Sequence, residues 1–193
     1  MLRYLTPILL LLSLTACDGG GRKAVITPNG VGNVTFDQAV PDMGKGFTAE
    51  SDTLYYDGQE GEPYYIVKNR KGEVVLNVFP GVSIEAYSPD YETEAGIHPG
   101  MSLSEAVAIA GEANLNVWYN WPDNYFIIDD HSEGFSWQVY GDQLQGGREA
   151  FERFRETGSP DIRLNHFSPD AVVAWITVEN RNPETADEES SVE

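Results

Sequence analysis

The sequence predicts a single α+β domain, mainly an antiparallel meander of about seven to eight strands, with two short helices. Three observations lead there. Between Pro63 and Tyr87, β-branched and aromatic runs alternate with tight turn clusters, which leaves no room for the crossovers that parallel strands require. Ser102 with Glu105 three residues later forms a capping-box signature ahead of an apolar stripe of helical spacing. The chain is 41% hydrophobic over 193 residues, enough for one core.

Taken in order, Ala24 to Thr27 reads as a short strand, Pro28-Asn29-Gly30 as a turn and Val31 to Phe36 as a second short strand. Phe36, Ala39, Val40 and Met43 have helical spacing but Pro41 interrupts them, so one helical turn is predicted between residues 37 and 46. Strands follow at Pro63–Lys68, Glu73–Phe79 and Val82–Tyr87, joined by the loop Asn69-Arg70-Lys71-Gly72 and the turn Pro80-Gly81. A helix then carries Leu103, Ala106, Val107 and Ala110 on one stripe and stops at Gly111. That stripe is core packing. Leu115–Tyr119, Tyr125–Ile128 and Phe135–Tyr140 read as three more strands, and Gly147–Glu156 as a second helix with Phe151 and Phe154 facing inward. Ala171–Val178 is the last strand. The core domain is thus expected at residues 24–179, with residues 180–193 forming a disordered acidic tail.

The opening segment is an address. One basic residue, Arg3, precedes a short apolar run from Leu5 to Leu14, which is too brief for a membrane span of about 20 residues and has the pattern of a secretory leader over residues 1–16. It ends in Leu14-Thr15-Ala16-Cys17, similar to the lipobox of bacterial lipoproteins, in which the Cys takes a diacylglycerol thioether and becomes the new N-terminus. Cys17 is the chain's one cysteine, so lipidation leaves no thiol for a disulfide. Residues 17–23 form a glycine-rich tether. Asp18 directly after the Cys resembles an inner-membrane retention signal and favours the periplasmic face of the inner membrane over the outer membrane.

Charge narrows the partners. With 31 acids against 12 bases the formal charge is −19, which argues against nucleic acid. The acidic body should stand off an anionic bilayer while Arg22 and Lys23 stay near it. The acidity reads either as a habitat signature or as a surface for a basic partner.

Gly30-Val31-Gly32 running into Val34-Thr35, a strand-rich middle, and Gly96-Ile97-His98-Pro99-Gly100-Met101-Ser102 leading into a helix resemble the arrangement in small Gram-negative envelope lipoproteins, notably the family controlled by the envelope-stress sigma factor. The resemblance covers residues 30–178 and rests on glycine turns. It implies a periplasm-facing α+β domain and carries over no activity and no catalytic residue.

Chemistry is sparse. Asp129, Asp130, His131 and Glu133 are the densest group of potential metal ligands, but their spacing does not match a calcium-binding loop, and a charged hairpin loop is the competing reading. His98, His131 and His166 lie far apart with no zinc motif, and no Gly-x-Ser-x-Gly elbow occurs. Gly30-x-Gly32 lacks the third glycine and long helix of a dinucleotide site, so no cofactor is expected. Trp118, Tyr119, Trp121 and Tyr125 form an aromatic cluster that either closes the core or offers a binding face to a protein or glycan. The expected function is therefore a non-enzymatic, lipid-anchored envelope domain. The alternative is an envelope carbohydrate hydrolase using an unidentified carboxylate pair.

Overall fold

In the computed structural model, which describes residues 23–55, 61–120, 124–157 and 162–181, an eight-stranded sheet organises the rest of the chain. In chain order the elements are β1 (Ala24–Thr27), β2 (Gly30–Val31), β3 (Val34–Thr35), β4 (Phe47–Leu54), β5 (Glu62–Asn69), β6 (Val74–Phe79), β7 (Ser83–Ala86) and β8 (Tyr91–Thr93). There follow α1 (Leu103–Ala110), β9 (Leu115–Asn120), β10 (Tyr125–Asp130), β11 (Phe135–Tyr140), α2 (Gly147–Thr157) and β12 (Trp175–Glu179). The large sheet has the order β4-β5-β6-β7-β12-β11-β10-β9 and is antiparallel throughout. Two meanders, β4 to β7 and β9 to β11, are joined edge to edge by the C-terminal strand.

Turn chemistry sets the registers. In the β5–β6 loop, Asn69 Oδ1 accepts from the backbone N–H of Lys71 and of Glu73, and Gly72 takes φ +79°. Gly30 closes the first hairpin at φ +154°, where a Cβ would stand 2.1 Å from the carbonyl oxygen of Val34. The segment expected as one strand over residues 31–36 is instead two two-residue strands folded on each other, because Gly32 at φ +60° turns the chain between them. Residues 37–46 hold turns and bends and no helix. Pro41 and the positive φ of Gly44 and Gly46 break the spacing that suggested one. β1, β2, β3 and β8 make a second, four-stranded sheet, in which β1 and β8 are parallel, with Ala24 opposite Tyr91.

Alternation decides the layers. A row running across the large sheet through Ile128, Trp137, Ile176, Ala86, Leu76 and Val67 is wholly inaccessible to solvent. Ile26, Val31 and Val34 of the small sheet, Leu103 and Ala106 of α1, and Phe151 of α2 belong to the same core. α1 is capped as its sequence requires: Ser102 Oγ accepts from the Glu105 N–H at 3.2 Å and donates to Glu105 Oε2 at 2.8 Å. α2 presses close enough that a Cβ on Gly141 would meet the Phe151 ring at 2.3 Å. Arg148 and Glu152, four residues apart on α2, pair at 2.8 Å on its exposed side.

The segment before α1 is sewn to the residues that lead into β12. Gly100 N–H donates to the Val173 carbonyl at 2.7 Å, and Leu103 N–H to that of Ala171 at 2.7 Å. At the other end, Asn180, which the sequence assigns to the tail, is docked: its N–H donates to the Val82 carbonyl and its Nδ2 to that of Gly81, both at 2.8 Å. The rest of the expected tail, residues 182–193, lies outside the described residues, as do the leader and most of the tether. Deleting residues 182–193 should change stability by less than about 0.5 kcal/mol. Extending the deletion through Asn180 should cost about 1 to 2 kcal/mol more, from two lost hydrogen bonds. Urea unfolding of the two truncations checks both values.

Candidate functional site

One position along each strand from the apolar row, the same sheet shows a different chemistry. Asn116, Asp129, Ser136, Thr177, Glu85, Asn77, Ile66 and Glu50 stand opposite one another across all eight strands, on the side away from the core. The adjoining row on this outer face is Trp118, Ile127, Gln138 and Trp175. Its centre is sunk. Ser136, Gln138, Thr177, Ile127 and Trp175 are buried, whereas Trp118 and Tyr140 at the rim are 46% and 49% exposed.

Rings and hydrogen bonds hold this surface in place. Trp175 lies against Tyr87, Tyr125 and Tyr140 with centroid separations of 5.6, 4.9 and 5.5 Å. Trp118 Nε1 donates to Asp129 Oδ2 at 2.8 Å, which fixes an exposed indole beside a carboxylate. Asn77 Nδ2 donates to Glu85 Oε2 and to the Tyr87 hydroxyl, each at 3.1 Å, and that hydroxyl donates to Glu85 Oε2 at 2.6 Å. Burial first, and the Glu85 carboxylate second, push the Tyr87 hydroxyl far above the usual phenol range. At the sunken centre Gln138 Nε2 donates to Ser136 Oγ at 3.0 Å. Gln138 Oε1 and Trp175 Nε1, on directly opposed residues, are buried without a hydrogen-bond partner among the described residues.

Cavities lie at both ends of β12 on this face. Toward its start a groove of about 260 Å³ is lined by Tyr87, Pro89, Pro99, Tyr140, Gln143 and Ala174, among others. Toward its end a polar cleft of about 180 Å³ is lined by Asp129, Asp130, His131, Ser136, Thr177, Glu179 and Arg181, with Gly134 and Phe135. Val173 and Glu179, one in each lining, are about 20 Å apart at roughly 3.3 Å per residue. The two cavities share no lining residue, and Trp175, which lies between them on β12, is buried and lines neither.

The aromatic cluster read from the sequence does not act as a unit. Trp118 is on the outer face, while Tyr119, one residue later, points into the core against Phe126, Phe151 and Phe154 at 5.3, 5.7 and 5.2 Å. Tyr125 is on the outer face beneath the rim, and Trp121 lies outside the described residues. The loop carboxylates also separate. Asp130 Oδ1 accepts from the Ser132 N–H, the Ser132 hydroxyl and the Glu133 N–H, which is a turn-closing role, while Asn116 Nδ2 donates to His131 Nε2 at 2.8 Å. Among the described residues no three His, Cys, Asp or Glu side chains converge as metal ligands.

Sequence reading missed Asn77, Glu85, Tyr87, Gln138, Tyr140 and Trp175 as parts of one surface. The available signal was a polar residue recurring inside apolar runs, as Asn77 does within Val74–Phe79.

No protein-family model matches the chain, and no curated protein matches it. Its architecture, however, is found elsewhere. The fold is similar to that of YfeY. The crystal structure of this uncharacterized Escherichia coli protein matches with a TM-score of 0.55 at 14% identity, over 81% of this chain and 99% of YfeY. At that identity YfeY speaks for the fold alone. The outer-face chemistry stands on this chain's own residues.

Two measurements separate framework from surface. Trp118→Ala should change folding free energy by less than about 1 kcal/mol, whereas Tyr119→Ala should cost about 3 kcal/mol, both with an unchanged urea m-value. Alkaline titration reads the buried phenols. Burial, then the Asp90 carboxylate, raises Tyr91 to about 12, and Tyr87 is raised further. In the unfolded chain both lose their proton near pH 10, so the folded state binds more protons above that pH, and stability falls as pH rises. Stability should be intact below about pH 10 and decline through about pH 12, with a shallower decline in Tyr87→Phe.

Proposed function

We propose that this chain is a lipid-anchored bacterial envelope protein whose domain faces the periplasm and binds a partner, without catalysis, through the outer face of its large sheet. The observation that carries the reading is the pair of cavities on the side of the sheet opposite the core, together with the exposed Trp118 and Tyr140 rings beside its buried polar centre. Sites of this make-up, mostly apolar or aromatic with a few fixed polar groups, are what ligand recognition uses. Asp129 and Asp130, the adjacent carboxylates of the polar cleft, are engaged by the Trp118 indole and by turn amides, which supports binding rather than hydrolysis.

The anchor rests on Leu14-Thr15-Ala16-Cys17. Among the described residues no helix is long and apolar enough to cross a membrane. Lys23 pairs with Glu92 at 3.0 Å just before β1, and in sequence five residues, three of them glycine, lie between it and Cys17. Two or more acyl chains make such attachment stable. Asp18 supports retention at the inner membrane.

Cys17→Ser tests the anchor. Fatty-acid labelling should be lost and the chain should accumulate unprocessed. A Cys17→Ser protein that is still processed and labelled would remove the lipid from this reading.

A further inference from the structure

We infer that the open edge of β4 is a docking site for an extended basic segment of another protein, which adds to the large sheet as a further strand. The edge is separate from the cavities and rings of the outer face and does not depend on their role. β4 ends the sheet order, and Phe47 to Asp52 are exposed. Alternation says which of its backbone groups are open. Along an inner antiparallel strand, successive residues turn their N–H and C=O to opposite neighbours. Asn69 N–H donates to the Glu73 carbonyl at 2.9 Å, on the β6 side, so the odd-numbered residues of β5 bond toward β6, while Glu62, Tyr64, Ile66 and Lys68 bond to β4. The bulge beside Val67 puts its extra residue, Val75, on β6, and the β4–β5 register runs unbroken. Phe47, Ala49, Ser51 and Thr53 therefore turn their backbone groups away from the sheet. Two details agree: Pro63, which has no N–H, stands opposite Thr53, and the Thr53 N–H goes to Asp52 Oδ1 at 2.8 Å. Among the described residues no backbone bond from outside the β4–β5 ladder reaches Phe47, Ala49 or Ser51.

Side chains select the occupant. Edge strands are commonly closed by proline, lysine or a bulge. Phe47–Leu54 has no proline and no lysine, and its pairing with β5 has no bulge. Its charged residues, Glu50 and Asp52, are both acids and stand two positions apart on the outer face. An added antiparallel strand meets them at its non-hydrogen-bonded positions, where opposed Cα atoms are about 4.5 Å apart and side chains are closest. Lysine or arginine at two alternate positions of that strand faces both carboxylates. Lys68 and the Tyr64 hydroxyl reach Glu50 and Asp52 from the β5 side, and the Glu50 side chain keeps 57% exposure. On the other face Ala49 and Ser51 are small and Phe47 is exposed, which suits an apolar residue opposite Phe47. Two occupants nearer to hand are repelled. A second copy paired through Ala49 and Ser51 brings Glu50 of one copy opposite or diagonal to Glu50 or Asp52 of the other. The chain's own residues 182–193 carry five acids and no base. β9, at the opposite end of the sheet, has no charged residue with which to choose a partner.

The test is titration of the full-length protein in detergent with the end-capped peptide Thr-Lys-Thr-Lys-Thr-Thr-Val. Run antiparallel to β4 with its valine opposite Phe47, it sets its lysines opposite Asp52 and Glu50. One comparator has glutamate at both lysine positions, and another has N-methyl groups on the two threonines opposite Ala49 and Ser51. Calorimetry reads affinity, and amide hydrogen exchange reads the edge. Saturable binding of the lysine peptide is expected, with the Ala49 and Ser51 amides fast to exchange in the free protein and protected in the complex. Both comparators should bind about tenfold more weakly or worse. Ser51→Pro should fold, because the N–H it removes faces away from β5, and should lose binding. Glu50→Gln combined with Asp52→Asn should weaken the lysine peptide about fivefold or more. Ile109→Ala, exposed on α1, should bind as the wild type does. Absence of binding, equal affinity for either comparator, or unchanged exchange at Ala49 and Ser51 overturns the assignment. If Ser51→Pro fails to fold, the N-methylated peptide interrupts the same ladder from the other strand and decides. Protection of these amides in the protein alone, growing with its concentration, would give the edge to a second copy and also overturns it.

Discussion

The pairing of β12 with β7 on one side and β11 on the other is the interaction on which the fold depends. Without it the chain holds two separate antiparallel meanders, each with an open edge where β12 belongs. With it, Ile176 completes the row between Trp137 and Ala86, and Val178 the next between Phe135 and Ile84. Both side chains are wholly buried, each worth about 1.5 to 3 kcal/mol of transfer free energy. The docking of Asn180 and the bonds from Gly100 and Leu103 to Val173 and Ala171 fix the strand lengthwise. Its register is therefore set at both ends as well as by its neighbours.

The same strand builds the outer face. Because side chains alternate, Ile176 and Val178 enter the core while Trp175 and Thr177 lie on the outer face. A slip of one residue would exchange these sets, burying Thr177 in the core and turning Ile176 outward. Fold and candidate site thus share one constraint, and the polar floor can be accurate only to the extent that the apolar row behind it is. Tyr87 illustrates the coupling: it follows Ala86, a core residue, and stacks on Trp175 across the strand pair.

Local features were legible in the sequence and long-range ones were not. The hairpin at Asn69 to Gly72, the capping box at Ser102 and Glu105, the stop at Gly111 and the helix with inward Phe151 and Phe154 all rest on contacts within a few residues, and the structure has each of them. β4 escaped notice because Phe47–Leu54 carries Glu50, Ser51 and Asp52 and is exposed along most of its length, so it shows neither apolar alternation nor β-branched enrichment. β8 is three residues long and is held by parallel pairing with β1 more than sixty residues earlier. Nor does any local pattern say that the last strand enters between the seventh and the eleventh of the chain. The outer face is completed by that insertion, since Gln138, Trp175 and Glu85 come onto one surface only once β12 lies between β7 and β11. Trp118 and Tyr119 stood together in sequence, and the period-two rule already places them on opposite faces.

The insertion of the final strand also has a consequence for the order of events during synthesis. Ribosomes deliver a chain from its N-terminus, so both meanders emerge before the strand that unites them. Until residue 179 is free, the apolar row is split and each half keeps an unpaired edge. Cooperative closure waits for the last strand of the sheet, and contacts of such large sequence separation form slowly. Before that strand emerges the two meanders share no sheet, so full packing of the apolar row comes after both of them have been made.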